Sequence, residues 1–317
     1  AERYPDRPCF TDFVPERVTR TYTEALKNIE RLANWLAVSG VTKGSHVAVS
    51  GKNSSEWATV YLATLFAGGT IIPIDYGLHE PEIENLLNTA RPLFFFVDEE
   101  KYDHFCKHTC GAQVFSLSPK YSDTYVYSLE TSSKATITPA TELDTAAILF
   151  TSGTTGKGKG VMLSQTNIVS DMTQGMYLFD ITRKTLNVLP PHHTFGSTVN
   201  YVGHYAQGCE IYITSGIKYL LNELREQQPT HLVLVPLFVE TLYRRIWATA
   251  EKTGADKKLR KGMKISNMLR KIGIDKRRSL FAQVHETFGG KLQMIICGGA
   301  ALNQDIIDFF DAIGITV

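Results

Sequence analysis

The sequence predicts an α/β fold built as two sheet-based subdomains, and three observations carry that prediction. Short apolar runs alternate with helical patterns along the chain. The 317 residues are 43% apolar with a formal charge of +1, enough to bury a large core. One markedly polar connection, Ser128–Thr145, separates two groups of runs and marks a boundary near residue 140. The expected subdomains are therefore 1–140 and 141–317.

The elements follow in order. Leu26, Ile29, Leu32, Ala33 and Leu36 recur at helical spacing over Tyr22–Val38, ahead of Gly40. Val47-Ala48-Val49 reads as a strand and Glu56–Phe66 as a helix stopped by Gly68-Gly69. Pro81–Asn88 predicts a short helix and Phe94–Val97 a strand. Ala146–Phe150 and Val161–Leu163 predict strands on either side of a glycine-rich loop, and Ser164 with Asn167 opens a helix. Glu210–Ile213, His231–Val235 and Leu292–Ile296 predict further strands, with a helix from Asn303 to Ala312.

Composition excludes some functions. A charge of +1 carries no bias toward nucleic acid. No run of about 18 apolar residues occurs, and Ala1-Glu2-Arg3-Tyr4-Pro5 lacks the apolar core of a signal peptide. Five cysteines without framework spacing suit a reducing compartment, so a cytoplasmic location is expected. His104, Cys106, His108 and Cys110 alternate, but positions two apart do not share a helix face and Gly111 follows at once. No metal ligand is assigned on this reading.

The run Phe150-Thr151-Ser152-Gly153-Thr154-Thr155-Gly156-Lys157-Gly158-Lys159-Gly160 reads as a phosphate cradle. Glycines let backbone N–H groups turn toward an anion, and the hydroxyls and ammonium groups add donors. A Walker-type loop is nearly matched, but Gly160 stands where a hydroxyl residue should bind Mg²⁺. A flexible Gly/Thr linker is the other reading, disfavoured by strands on both sides.

Phe150–Gly160 resembles the signature of the adenylate-forming enzymes, the superfamily of acyl- and aryl-CoA synthetases, luciferase and peptide-synthetase adenylation domains. Gly158 departs from it, standing where the family usually has proline. Pro190-Pro191-His192-His193-Thr194-Phe195-Gly196 is similar to the family's proline-aromatic-His-x-x-Gly segment, and His193 matches its histidine. His192 stands at a usually aromatic place, which leaves the role open between the two. Gly298-Gly299-Ala300-Ala301-Leu302 is similar to the family's Gly-Gly-Ala-x-Leu motif, whose backbone lies against adenine and the acyl site. A basic stretch over 251–278, threaded by Leu259, Met263, Ile265, Met268, Leu269 and Ile272, is most similar to the long-chain fatty acyl-CoA synthetase branch. It reads as a solvated covering helix or as a peripheral contact with an anionic membrane.

The resemblance implies ATP-dependent activation of a carboxylic acid, a medium- or long-chain fatty acid, to acyl-AMP and then to acyl-CoA, with ATP, Mg²⁺ and coenzyme A as partners. Thr151, Ser152, Gly153, Thr154, Thr155, Gly156, Lys157 and Lys159 would hold the phosphates, and Gly298, Gly299 and Ala300 would border the adenine. Lys159 and His193 would be the catalytic pair. The family's next segments, Tyr-Gly-x-Thr-Glu onward, do not occur before Val317. On this reading the chain is expected to be part of the large N-terminal domain and inactive alone. An amino-acid or aryl-acid adenylation domain and a noncatalytic nucleotide- or acyl-binding protein are the alternatives.

Overall fold

The computed structural model describes residues 1–13, 16–151, 159–181 and 183–317. It divides into two compact units, one of residues 1–180 with 190–208, the other of 181–189 with 209–317.

The first unit opens with an antiparallel hairpin, β1 (Pro8–Asp12) and β2 (Val18–Thr21). Helix α1 (Tyr22–Val38) follows directly, because Thr21 and Glu24 form a reciprocal capping box. Its Ile29, Leu32, Ala33 and Leu36 are buried. Next come β3 (His46–Ser50), α2 (Ser55–Phe66), β4 (Thr70–Ile74), α3 (Glu80–Ala90), β5 (Phe94–Val97), α4 (Glu99–Lys107) and β6 (Gln113–Ser116). After the polar connection come β7 (Thr145–Thr151), β8 (Lys159–Ser164) and α5 (Gln165–Leu178). A π-helical stretch, Phe195–Gly203, and the short α6 (His204–Ala206) complete the unit.

The sheet order is β6-β5-β3-β4-β7-β8, parallel throughout except for antiparallel β8. Strands buried on both faces read as continuous apolar runs, which is why Phe94-Phe95-Phe96-Val97 is buried at every position. Helices α3 and α4 cover one face through Ile83, Leu87, Tyr102 and Phe105, packed on Ala48, Ile72, Ile74 and Phe95. Helix α2 is buried over nearly its whole length, from Ser55 to Thr64.

A charged network is buried at the N-terminus of α2. Asp12 accepts from the Ser55 backbone N–H at 2.9 Å and from Arg20 at 3.0 Å. Arg20 also donates to Ser55 Oγ at 2.9 Å, stands 3.6 Å from Glu56, and lies over the Tyr127 ring. Tyr125 donates to Glu56 at 2.7 Å. Burial pushes the Asp12 and Glu56 carboxyls up while Arg20 draws them down.

The second unit holds β9 (Lys184–Asn187), β10 (Glu210–Ile213), α7 (Leu220–Gln227), β11 (His231–Leu234), α8 (Pro236–Lys252), α9 (Asp256–Lys271), α10 (Arg277–Leu280), α11 (Ala282–Thr287), β12 (Met294–Cys297) and α12 (Gln304–Ile313). Its strands pair in parallel in the order β12-β11-β9-β10. Helix α12 buries Ile306, Phe309, Phe310 and Ile313, and Phe309 meets Tyr243 edge-on at 4.9 Å.

The division differs from the boundary expected near residue 140. Strand β7 pairs with β4 through Ile71 and Ala147 and so joins the first sheet, with β8 beyond it, and the chain crosses to the second unit only at β9. Polarity of the 128–145 connection reflects its exposure, not a change of core.

At the carboxyl ends of β3, β4 and β5 a small cavity of about 220 Å³ is lined by Ser50, Tyr76, Val97, Asp98, Glu100 and Lys101. Burial there pushes the Asp98 carboxyl up to about 6, although it accepts the Lys52 backbone N–H at 2.6 Å. Its folded pKa lies above the unfolded value of about 3.9, so the protonated form favours folding and that stability is withdrawn as pH rises from about 4 through 6. We expect Asp98→Asn, which keeps an acceptor for Lys52, to stabilise the chain by roughly 1–2 kcal/mol at pH 8, the gain largely vanishing by pH 4. Urea unfolding at the two pH values measures it.

Candidate active site

The glycine-rich run joins two antiparallel strands. Strand β7 is anchored by buried Ala146, Ala147 and Leu149, and β8 returns beside it, with Ile148 opposite Met162, Phe150 opposite Gly160 and Thr151 opposite Lys159. A Cβ on Gly160 would stand 2.9 Å from Ile148 Cγ2, so the close pairing needs glycine. Thr151 and Lys159 are exposed and face each other across the ladder, Thr151 Oγ1 donating to the Lys159 carbonyl at 3.5 Å. They are the two posts of the loop. Ser152, Gly153, Thr154, Thr155, Gly156, Lys157 and Gly158 lie outside the described residues.

The Walker reading, already disfavoured by Gly160, is disfavoured by the strand as well. That loop hands its phosphate straight to a helix N-terminus, whereas a six-residue strand separates this one from α5. Helix α5 starts as expected, with a Ser164–Asn167 capping box.

Helix α5 packs along the π-helical stretch, with Met172 close to Gly203. Single-turn π geometry often accompanies function, and here it follows the two histidines. They separate cleanly. His192 points inward, its side chain 11% exposed and its Nε2 3.5 Å from Asp75 Oδ2. Burial pulls its pKa down to about 4, against Asp75 and with help from His193, so the ring is neutral at pH 7. Its Nδ1 is buried without a hydrogen-bond partner. His193 is exposed, with its ring centroid 4.2 Å from that of His192. Its carbonyl accepts from the Ser197 backbone N–H at 2.8 Å and from Ser197 Oγ at 3.1 Å. The geometry therefore turns His192 inward and leaves His193 exposed.

Asp75 stands just past the carboxyl end of β4, where open parallel sheets bind their ligands. It is not singled out by the sequence analysis. The signal was present in a carboxylate placed one residue beyond the apolar run Ile71-Ile72-Pro73-Ile74.

In the second unit, Gly298, Gly299 and Ala300 follow β12, whose neighbour is β11. The Gly298 N–H donates to the Leu234 carbonyl at 3.2 Å, and Gly299 takes φ +88°, a conformation that favours glycine. Gly299 and Ala300 are exposed, which leaves their backbone open to a flat ring. Cys297 ends the strand half-buried.

These features sit on an α/β fold, and comparison with known proteins gives its family. The chain belongs to the AMP-binding enzyme family, whose profile matches residues 1–317. It is 24% identical over 334 residues to the long-chain-fatty-acid–CoA ligase FadD15 of Mycobacterium bovis, matching 94% of this chain and 54% of that protein. The chain thus spans about half the length of the curated relatives it matches. Its fold is that of the inhibitor-bound N-terminal domain of FACL13 from Mycobacterium tuberculosis, with a TM-score of 0.74 at 18% identity, covering 99% of this chain and 71% of that one. ATP-bound MatB from Rhodopseudomonas palustris is similar at a TM-score of 0.69 and 23% identity, covering 97% and 55%.

Gly196 controls the histidine turn. A Cβ there would stand 2.0 Å from the Pro190 carbonyl oxygen, a backbone atom that cannot swing aside. Gly196→Ala should therefore cost about 2 kcal/mol or more, read as a lowered urea midpoint with an unchanged slope.

Proposed function

We propose that this domain serves the ATP-dependent activation of a carboxylic acid, a medium- or long-chain fatty acid, to acyl-AMP and then to acyl-CoA. The observation that carries the reading is the β7–β8 hairpin, which holds Thr151 and Lys159 at the two ends of a loop rich in glycine, threonine and lysine. A carboxylate is a poor electrophile because its charge repels nucleophiles and its leaving group would be oxide. Attack of the carboxylate oxygen on the α-phosphorus of ATP forms the acyl-phosphate bond and breaks the bond to pyrophosphate. The thiol of coenzyme A then takes the acyl group and AMP leaves.

The protein's share is positioning and electrostatics. Lys159 would offset the charge that grows on the departing pyrophosphate, together with Lys157. His193, exposed beside a neutral His192, would donate to anionic oxygens of the carboxylate and adenylate. The open backbone of Gly298–Ala300 would lie against the adenine. Mg²⁺ would travel with the ATP phosphates. The long-chain choice rests on the relative at 24% identity and on the basic stretch.

Pyrophosphate exchange into ATP, run on the complete gene product with fatty, aryl and amino acids, tests the reading. Exchange with fatty acids is expected, and Lys159→Ala should lower it roughly 10²-fold. Exchange only with aryl or amino acids would move the domain to another branch. No exchange from a protein that still binds ATP would favour a noncatalytic binder.

We also infer a peripheral contact with anionic membrane through 251–278. No helix among the described residues is long and apolar enough to cross a membrane. Helix α9 turns Leu259 and Ser266 inward, Ser266 donating to the Ala312 carbonyl at 3.1 Å. Arg260, Arg270 and Arg277 are engaged with Trp247, Asp311 and Asp275. The outward residues include Met268, Ile272, Ile274 and Leu280 beside Lys271 and Lys276, with Lys257, Lys258, Lys261 and Lys264 also exposed along α9, apolar and basic together. An apolar groove of about 830 Å³ borders α9, lined by Leu242, Ile246, Leu259 and Phe281 among others. The chain should sediment with phosphatidylserine vesicles at low salt, and Lys271→Gln with Lys276→Gln should weaken binding roughly tenfold or more. Equal binding by neutral vesicles, or by the double variant, would remove this contact.

A further inference from the structure

We propose that Glu84, His104 and His108 form a binding site for a Zn²⁺-like divalent cation on the outer side of α3 and α4, separate from the hairpin and from the histidine turn. One ligand atom from each residue lies within 4.8 Å of the others. Tetrahedral Zn²⁺ with bonds near 2.0–2.1 Å holds its ligands about 3.3 Å apart. Small rotations of three solvent-reaching side chains bring the set to that spacing, Glu84 and His104 parting slightly from their present 2.6 Å. Two imidazoles and a carboxylate form a donor set that suits Zn²⁺ and leaves a fourth position for water.

Three features prepare the site. The two histidines are four residues apart, so they share a face at the end of α4, and their rings stack with centroids 4.6 Å apart and planes 26° apart. Glu84 comes from α3 and already meets His104 Nε2 at 2.6 Å. His108 Nδ1 stands 3.2 Å from the His104 carbonyl. Metal-binding imidazoles commonly donate through the second nitrogen to a carbonyl, which fixes the tautomer and bares Nε2.

The backbone beneath is held by the core. Ile83, next to Glu84, and Phe105, next to His104, are fully buried in one cluster, and Phe105 meets the His104 ring edge-on at 5.0 Å. The sequence alone hid the set, because alternation of His and Cys over 104–110 draws attention to the wrong spacing. The working spacing is four, and the third ligand is 20 residues upstream.

The test uses the tag-free chain, stripped with chelator and titrated with ZnCl₂ by calorimetry. One Zn²⁺ per chain at micromolar affinity is expected. His104→Ala, His108→Ala and Glu84→Gln should each weaken it roughly tenfold or more, with metal-free thermal melts matching the unsubstituted chain. Co²⁺ bound in place of Zn²⁺ should show the strong visible absorption of a four-coordinate centre, lost in His108→Ala, the most exposed of the three. Unchanged affinity in the variants, or no saturable binding by the unsubstituted chain, would overturn the site. Neither result bears on acid activation.

Discussion

The half-buried guanidinium of Arg20 is the constraint around which the first unit is organised. It touches a strand (Asp12), the start of a helix (Ser55, Glu56) and the segment after β6 (Tyr127), so four separate stretches of chain meet on one cation. Two carboxylates crowd it, and burial opposes their ionisation. Removing one member of such a set leaves an uncompensated charge inside, which costs about 3–5 kcal/mol. Its value is therefore less in net stability than in orientation. It ties the start of α2 to β1 through Ser55, Glu56 and Asp12, and α2 packs on β3 and β4, the latter ending beside Asp75.

The site divides its tasks between rigid and open parts. Thr151 and Lys159 are fixed by six residue pairs of an antiparallel ladder. His193 is fixed at its backbone by Ser197 and by a glycine that nothing larger can replace. Only their outer ends face solvent. Electrostatic work of the kind proposed for Lys159 gains from groups already in place, since no reorganisation is then needed when charge develops.

Much of this was legible in the residues. Tyr22–Val38 and Phe94–Val97 have the predicted bounds, and the strands on either side of the loop were expected, because long periodic or wholly apolar segments speak for themselves. Strands β1 and β2 were not read, since Pro8–Asp12 and Val18–Thr21 mix polar and apolar residues and owe their form to Arg20 and its partners. Strand β9 escaped for a similar reason, as Lys184-Thr185-Leu186-Asn187 buries Thr185 and Asn187 with their polar groups. The choice between His192 and His193 needed coordinates. Adjacent side chains point in different directions, and only the position of Asp75 tells which one turns in. The unit boundary was misread because polarity marks exposure, while sheet membership is decided by strand pairing.

Strand β8 lies at the edge of the described sheet, with Val161 and Met162 exposed. Its outer row of N–H and C=O groups offers a register to any extended segment that comes alongside. In recognition of that kind the main-chain hydrogen bonds give affinity, and pockets for alternate side chains give specificity. At high concentration an open edge becomes a hazard, because a second copy of the chain can pair along it as readily as any other strand.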